Sequence, residues 1–296
     1  MKHCLTLKNL GAETILSILD RALYFKKNRQ PLTLLNGKVL GLIFEKESTR
    51  TRISFEVAMG RLGGTSIYLS QSSSQISRGE TYADTARVLS RYLDALVLRA
   101  YSQADLEELA SHASIPVING LTDDAHPCQV LADLMTILEK KGKWDDLKIA
   151  YIGDGNNMTN TWIEAALLLN FNLHVACPKG YGPSKELVSS VKGIESIGLT
   201  SKPLEAVAHA DVINTDTWFS MGQKVSQAKR KKFKGFQINR ALLQKASPDV
   251  IVLHCLPAHR GEEITDEVLD GPHSVVFDEA ENRLYVQMAL LEYLLT

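Results

Sequence analysis

Residues 39–52 read VLGLIFEKESTRTR, a six-residue run without a charge followed at once by a dense polar stretch with two arginines. The register predicts a buried strand that ends at Phe44, a short loop, and a helix opened by Ser48 as its N-cap. Ile53, Val57, Ala58 and Leu62 recur at helical spacing behind the cap. Hydroxyls from Ser48, Thr49 and Thr51 and the backbone N–H groups at the positive helix end make an anion site. Arg50 and Arg52 add planar donors suited to phosphate.

The strand-then-helix rhythm continues along the chain. Apolar runs at 65–70, 94–100 and 116–121 follow in the first half, and runs at 147–155, 173–178, 211–218 and 249–257 in the second. Such strands alternating with helices predict parallel sheets covered on both faces, with ligands bound beyond the carboxyl ends of the strands. Between the two sets, Val130, Leu131, Leu134, Ile137 and Leu138 share a helical face, predicting a linking helix that ends near Gly142. Met288, Leu291 and Leu295 repeat helical spacing at the end of the chain. The fold class is therefore α/β, with two doubly wound parallel-sheet domains joined by a linking helix. The first covers 1–135 and is completed by a C-terminal helix, 280–296, packing back on it; the second covers 136–279.

With 296 residues, 45% hydrophobic and 23% charged, the chain has ample material for two cores. Lys and Arg total 33 against 34 Asp and Glu, so bulk charge favours neither nucleic acid nor an anionic membrane. Cys4, Cys128, Cys177 and Cys255 are scattered without a CxxC pair, which fits a reducing cytoplasm and implies no zinc site. No apolar run is long enough to span a bilayer. The basic run QAKRKKFKG, 227–235, reads as a solvated loop or helix end.

Further motifs lie near predicted strand ends. HPCQ, 126–129, starts the linking helix, with His126 and Gln129 on one face. IGDGNN, 152–157, suggests a dinucleotide loop, but Met158 stands where the fingerprint needs glycine. DTWFSMG, 216–222, follows a strand with an acid and predicts a loop over a cationic amino group. HCLP, 254–257, puts Cys255 at a ligand edge.

In this order, from residue 44 to 283, these motifs resemble those of the aspartate/ornithine carbamoyltransferase family. The resemblance implies that Ser48, Thr49, Arg50 and Thr51 hold the phosphate of carbamoyl phosphate, and gives Arg52 a structural place. It makes Arg99 a ligand of phosphate and carbonyl, His126 a donor to the carbamoyl oxygen, and Gln129 a contact of the carbamoyl amide. Cys255, the Leu256 carbonyl and Arg283 complete both the carbamoyl-phosphate site and the catalytic set of Arg50, Arg99, His126, Cys255 and Arg283. D-x-x-x-S-M-G is the form found in the members that use ornithine. It assigns Asp216, Ser220 and Met221 to the α-amino end of ornithine, with the δ-amine received by Cys255 and Leu256. Asn157, or else Asn156, would meet the ornithine carboxylate.

The implied reaction transfers the carbamoyl group to the δ-amine of L-ornithine, giving L-citrulline and phosphate, with no cofactor and no metal. The domains become carbamoyl-phosphate-binding and ornithine-binding, in that order. The resemblance also implies a homotrimer in which Gln75, in the serine-rich loop 72–80, reaches a neighbouring subunit's site. Arginine biosynthesis in the cytoplasm is the expected setting. Three alternatives are a carbamoyltransferase for putrescine or a modified ornithine, a nucleotide-dependent oxidoreductase, and a non-catalytic amino-acid sensor. Glu47 would stand beside the phosphate site.

Overall fold

The computed structural model describes residues 2–30, 32–70, 75, 79–219 and 226–296. Ser220 and Met221, two of the expected ornithine ligands, lie outside them. The chain divides into two units, Met1–Met135 with Glu281–Thr296, and Thr136–Ala280.

In the first unit, strands β1 (Val39–Phe44), β2 (Thr65–Ser70), β3 (Ala95–Arg99) and β4 (Val117–Leu121) form a parallel sheet in the order β2-β1-β3-β4. From Leu40 to Phe44 every residue of β1 is buried, because a central parallel strand is covered on both faces. The second sheet contains β5 (Lys148–Ile152), β6 (Asn172–Ala176), β7 (Ile197–Thr200), β8 (Val212–Thr215) and β9 (Ile251–His254), in the order β7-β6-β5-β8-β9, again all parallel. Seven of the strands fall within the expected runs, and β6 begins one residue before its run. The ninth, β7, was not expected: it is a four-residue edge strand whose sequence, IGLT, leaves Leu199 partly in solvent.

Two details differ from the sequence pattern. Helix Thr49–Arg61 buries Thr51, Phe55, Ala58 and Met59, whereas Ile53 and Val57 are 51% and 40% exposed. Of the expected apolar stripe only Ala58 and Leu62 face the core. Helix Pro127–Lys141 ends beside Gly142, whose φ of +75° suits a glycine stop. It buries polar residues as well, Gln129, Asp133 and Thr136 among them, while Glu139 and Lys140 in its last turn are exposed.

The last helix, Val276–Leu295, belongs to the first unit from Glu281 onward. Arg21, on helix Gly11–Lys27, holds Glu292 through two bonds of 2.7 Å, and Lys26 donates to Asn282 Oδ1 at 2.7 Å. These contacts fix the end of the chain to its beginning. They also set Arg283 against residues of the first sheet's ligand edge.

Candidate active site

In the first unit the charged residues after β1 separate as the loop turns. Glu45 accepts from Tyr101 N at 3.2 Å and from the Tyr82 hydroxyl. Lys46 is buried, pairs with Asp123, and lies 4.2 Å from the Tyr101 ring centroid. Glu47 is exposed. Ser48 then adopts extended geometry (φ −158°, ψ 117°) and accepts from Thr51 N at 3.1 Å, capping helix Thr49–Arg61. Thr49 is exposed and Arg50 half-buried at the first turn, while Thr51 is buried.

Thr51 is the meeting point of two arginines. Arg283 donates from Nη2 to Thr51 Oγ1 at 2.8 Å and from Nη1 to Gln129 Oε1 at 2.8 Å. Arg99 Nη1 reaches the same hydroxyl at 3.5 Å. Arg99 ends β3 opposite Phe44 of β1, just after a register shift that re-aims the strand end. Gln129 Nε2 donates to Asp133 Oδ1 at 2.9 Å, locking the amide. His126 is buried nearby, and burial first, then the positive charges of Arg283 and Arg99, hold its pKa well below the usual value. A neutral imidazole at neutral pH follows, fit for hydrogen bonding and not for donating a full positive charge.

The second unit gathers acids where the first gathers cations. Asn156 caps helix Asn157–Leu169, its Oδ1 accepting from Met158 N (3.0 Å), Thr159 N (3.3 Å) and the Tyr151 hydroxyl (3.2 Å). Its Nδ2 donates to Asp216 Oδ2 at 2.8 Å. Asp216 lies directly after β8, and its Oδ1 accepts from Thr217 N (2.7 Å) and Cys255 Sγ (3.0 Å). Asn157 begins the same helix, nearly buried.

After β9, Leu256 has a positive φ of 53° and precedes a cis proline. Its N–H donates to His254 Nδ1 at 2.9 Å, and His254 Nε2 lies 3.1 Å from Glu263 Oε1. His254 Nδ1 therefore accepts, and Nε2 carries the proton toward Glu263. His254 N also donates to Glu279 Oε2 at 2.8 Å. One ligand atom each from Asp216, His254 and Cys255 falls within a 4.8 Å cluster, the spacing of a metal site. Both His254 nitrogens are already engaged, which leaves that residue no lone pair for an ion in this arrangement.

Residues 2–139 match the carbamoyl-phosphate-binding domain of aspartate/ornithine carbamoyltransferases, and residues 145–294 match the Asp/Orn-binding domain of the same proteins. The chain belongs to the aspartate/ornithine carbamoyltransferase family. An ornithine carbamoyltransferase of Syntrophus aciditrophicus is 52% identical over 302 residues, covering 99% of each chain. Among solved structures, the ornithine carbamoyltransferase of Pyrococcus furiosus superposes with a TM-score of 0.93 at 49% identity, over 98% of this chain and 96% of that one. The anabolic ornithine carbamoyltransferase of Campylobacter jejuni gives 0.93 at 43% identity, over 99% of each.

Within this carbamoyltransferase fold, the first unit brings together Ser48, Thr51, Arg99, Gln129 and Arg283, with His126 beside the two arginines. The second joins Asn156, Asp216 and Cys255, with Leu256 next in the chain. Gln75 is exposed, and its carbonyl accepts from Glu80 N at 3.2 Å. Three participants escaped the sequence reading. His254 and Glu263 set the backbone at Leu256, yet the H of HCLP was the only available signal. Lys229 was read as part of a solvated run; its side chain is instead 11% exposed and pairs with Asp154 at 2.6 Å.

Proposed function

We propose that this chain transfers the carbamoyl group of carbamoyl phosphate to the δ-amine of L-ornithine, giving L-citrulline and phosphate. The observation that carries an amino-acid acceptor is the buried Asp216 carboxylate, hydrogen-bonded by Asn156 and Cys255 in the amino-acid-binding unit. A buried carboxylate suits the α-ammonium of an amino-acid substrate. The names of the relatives support ornithine as that substrate.

On this reading the helix end at Ser48–Thr51 and the guanidinium of Arg50 hold the phosphate, with Arg99 and Arg283 turned toward Thr51. The Gln129 amide is engaged at both ends, so a contact with the carbamoyl NH2 uses the second lone pair of Oε1. Asn156 is committed to capping and to Asp216, which leaves the ornithine carboxylate to Asn157. Asp216 takes the α-ammonium, together with Ser220 and Met221; the Cys255 thiol and the Leu256 carbonyl receive the δ-amine.

The amine must be neutral to attack, because its lone pair forms the new C–N bond. Negative charge then builds on the carbamoyl oxygen, where Arg50, Thr51, Arg99 and neutral His126 stabilise it. The C–O bond to phosphate breaks, and the proton released by the amine leaves with the phosphate. No redox partner is needed for this balance.

A homotrimer completes the proposal, with Gln75 reaching the site of a neighbouring subunit. Ile53 and Val57 on helix Thr49–Arg61, and Ile67 on the edge strand β2, offer exposed apolar surface for such an interface. Arginine biosynthesis in the cytoplasm is the proposed setting, supported by four cysteines that stand as free thiols. No described helix is long and apolar enough to cross a membrane. Purified protein should form citrulline from carbamoyl phosphate and ornithine, with little product from aspartate or putrescine at equal concentration. Preference for either control would overturn the assignment.

A further inference from the structure

On helix Gln227–Phe233 one basic residue is turned inward. Lys229 Nζ lies 2.6 Å from Asp154 Oδ2, with side chains 11% and 10% exposed. The ring centroids of Tyr181, Phe219 and Phe233 each stand 5.4 Å from the same nitrogen. Lys231 and Lys232, on the same helix, remain in solvent, and Arg230 pairs with Glu262. A lysine drawn out of water into an aromatic box is costly unless its charge is matched, so this pairing demands a reason beyond surface solubility.

The reason lies in what Asp154 belongs to. It sits in the turn between β5 and helix Asn157–Leu169, where its carbonyl accepts from Thr159 Oγ1 at 2.6 Å. Two residues on, Asn156 caps that helix and grips Asp216. Burial raises the Asp154 pKa, the Asp216 charge raises it further, and Lys229 opposes both. Without the lysine, two carboxylates would compete for one small region. Gly155 N also donates to Tyr181 O at 2.8 Å, so the turn is anchored to one wall of the aromatic box.

We propose that Lys229 is a positioning residue for the amino-acid substrate: by neutralising Asp154 it fixes the turn that aims Asn156 at Asp216, and reserves the Asp216 charge for the substrate ammonium. The inference rests on the reading of Asp216 as an ornithine ligand. It assigns to a lysine of the basic run a role in recognising a cation, by balancing the acid that stands next to the binding acid.

The test is kinetic, on the full-length protein. Lys229→Met should raise KM for ornithine about ten-fold or more while KM for carbamoyl phosphate stays within about two-fold, since a buried unpaired acid disturbs only its own surroundings. Lys229→Arg should recover most of the loss. The double variant Asp154→Asn/Lys229→Met, which removes both charges, should bind ornithine better than Lys229→Met alone. Calorimetric affinity for L-ornithine gives a readout that needs no turnover, and thermal midpoints separate recognition from folding. An unchanged ornithine KM in folded Lys229→Met overturns the proposal, as does a parallel rise in both KM values that tracks a fall in midpoint. If wild-type protein makes no citrulline, the proposed function fails instead, and the calorimetric comparison still decides the role of Lys229.

Discussion

The two α/β units bury opposite charge at the carboxyl ends of their strands. In the first, Arg99 and Arg283 converge on Thr51 beside a neutral His126. In the second, Asp216 is gripped by Asn156 and Cys255, and the neighbouring Asp154 is cancelled by Lys229. Both sheets are parallel, so topology offers the same ligand edge twice. What differs is the side chain placed there, and the proposed ligands, a phosphate dianion for the first unit and an ammonium for the second, follow that difference. Neither site needs strong net charge on the whole protein, whose formal charge is −1.

The most damaging way to break this contrast is to remove the arginine that joins Thr51 to Gln129. Arg283→Ala should lower kcat by about 10²–10³-fold, the scale of losing a transition-state donor. Arg283→Lys should rescue poorly, because an ammonium cannot reproduce the fork that spans two acceptors. Steady-state rates at saturating substrates check both. Arg50→Ala comes next: a loss of about 10²-fold, with weaker carbamoyl-phosphate binding and little change in ornithine KM.

Protonation sharpens the comparison further. Ornithine's δ-ammonium has a pKa near that of lysine, about 10, so the rate should climb between about pH 6 and 8.5. Burial and the two arginines hold the His126 pKa well below its usual value, so His126→Gln should keep the ascending limb while lowering the plateau. The same residue affects stability with a definite sign. Its folded pKa lies below the unfolded value of 6.5, so the unfolded state takes up protons first as the pH falls. The contribution is fully present above 6.5 and is lost progressively as the pH drops toward the folded pKa; denaturant titrations at pH 7 and 5 should show a smaller difference in His126→Gln. The smallest effect expected is from the cap: Ser48→Ala should cost about 1 kcal/mol of stability by the same titration.

Strands were legible because buried parallel strands are uninterrupted apolar runs, and the Ser48 cap because a serine stands between such a run and a helical stretch. β7 escaped because a short edge strand carries little of that pattern. Helix Thr49–Arg61 was phased wrongly since Ile53 and Val57 look like core and stand outside it. The positioning groups were harder still. Lys229 and Asp154 are 75 residues apart, and Arg283 reaches Thr51 across 232. No local period encodes such pairs; only the fold brings a lysine from a basic run against an acid in a turn. The resemblance supplied Arg283 and includes the H of HCLP, but it does not say that this imidazole fixes Leu256.

The central claim is that the charge of the second unit's buried acid, and not general shape, holds the substrate's α-ammonium. Its most direct test is the pair of KM values in Asp216→Asn, a change that keeps the shape of the side chain and removes its charge. The account predicts that KM for ornithine rises by about 10²-fold, as expected for losing a buried charge partner, while KM for carbamoyl phosphate stays within about two-fold. An ornithine KM that stays at the wild-type value, or a rise confined to carbamoyl phosphate, would contradict it.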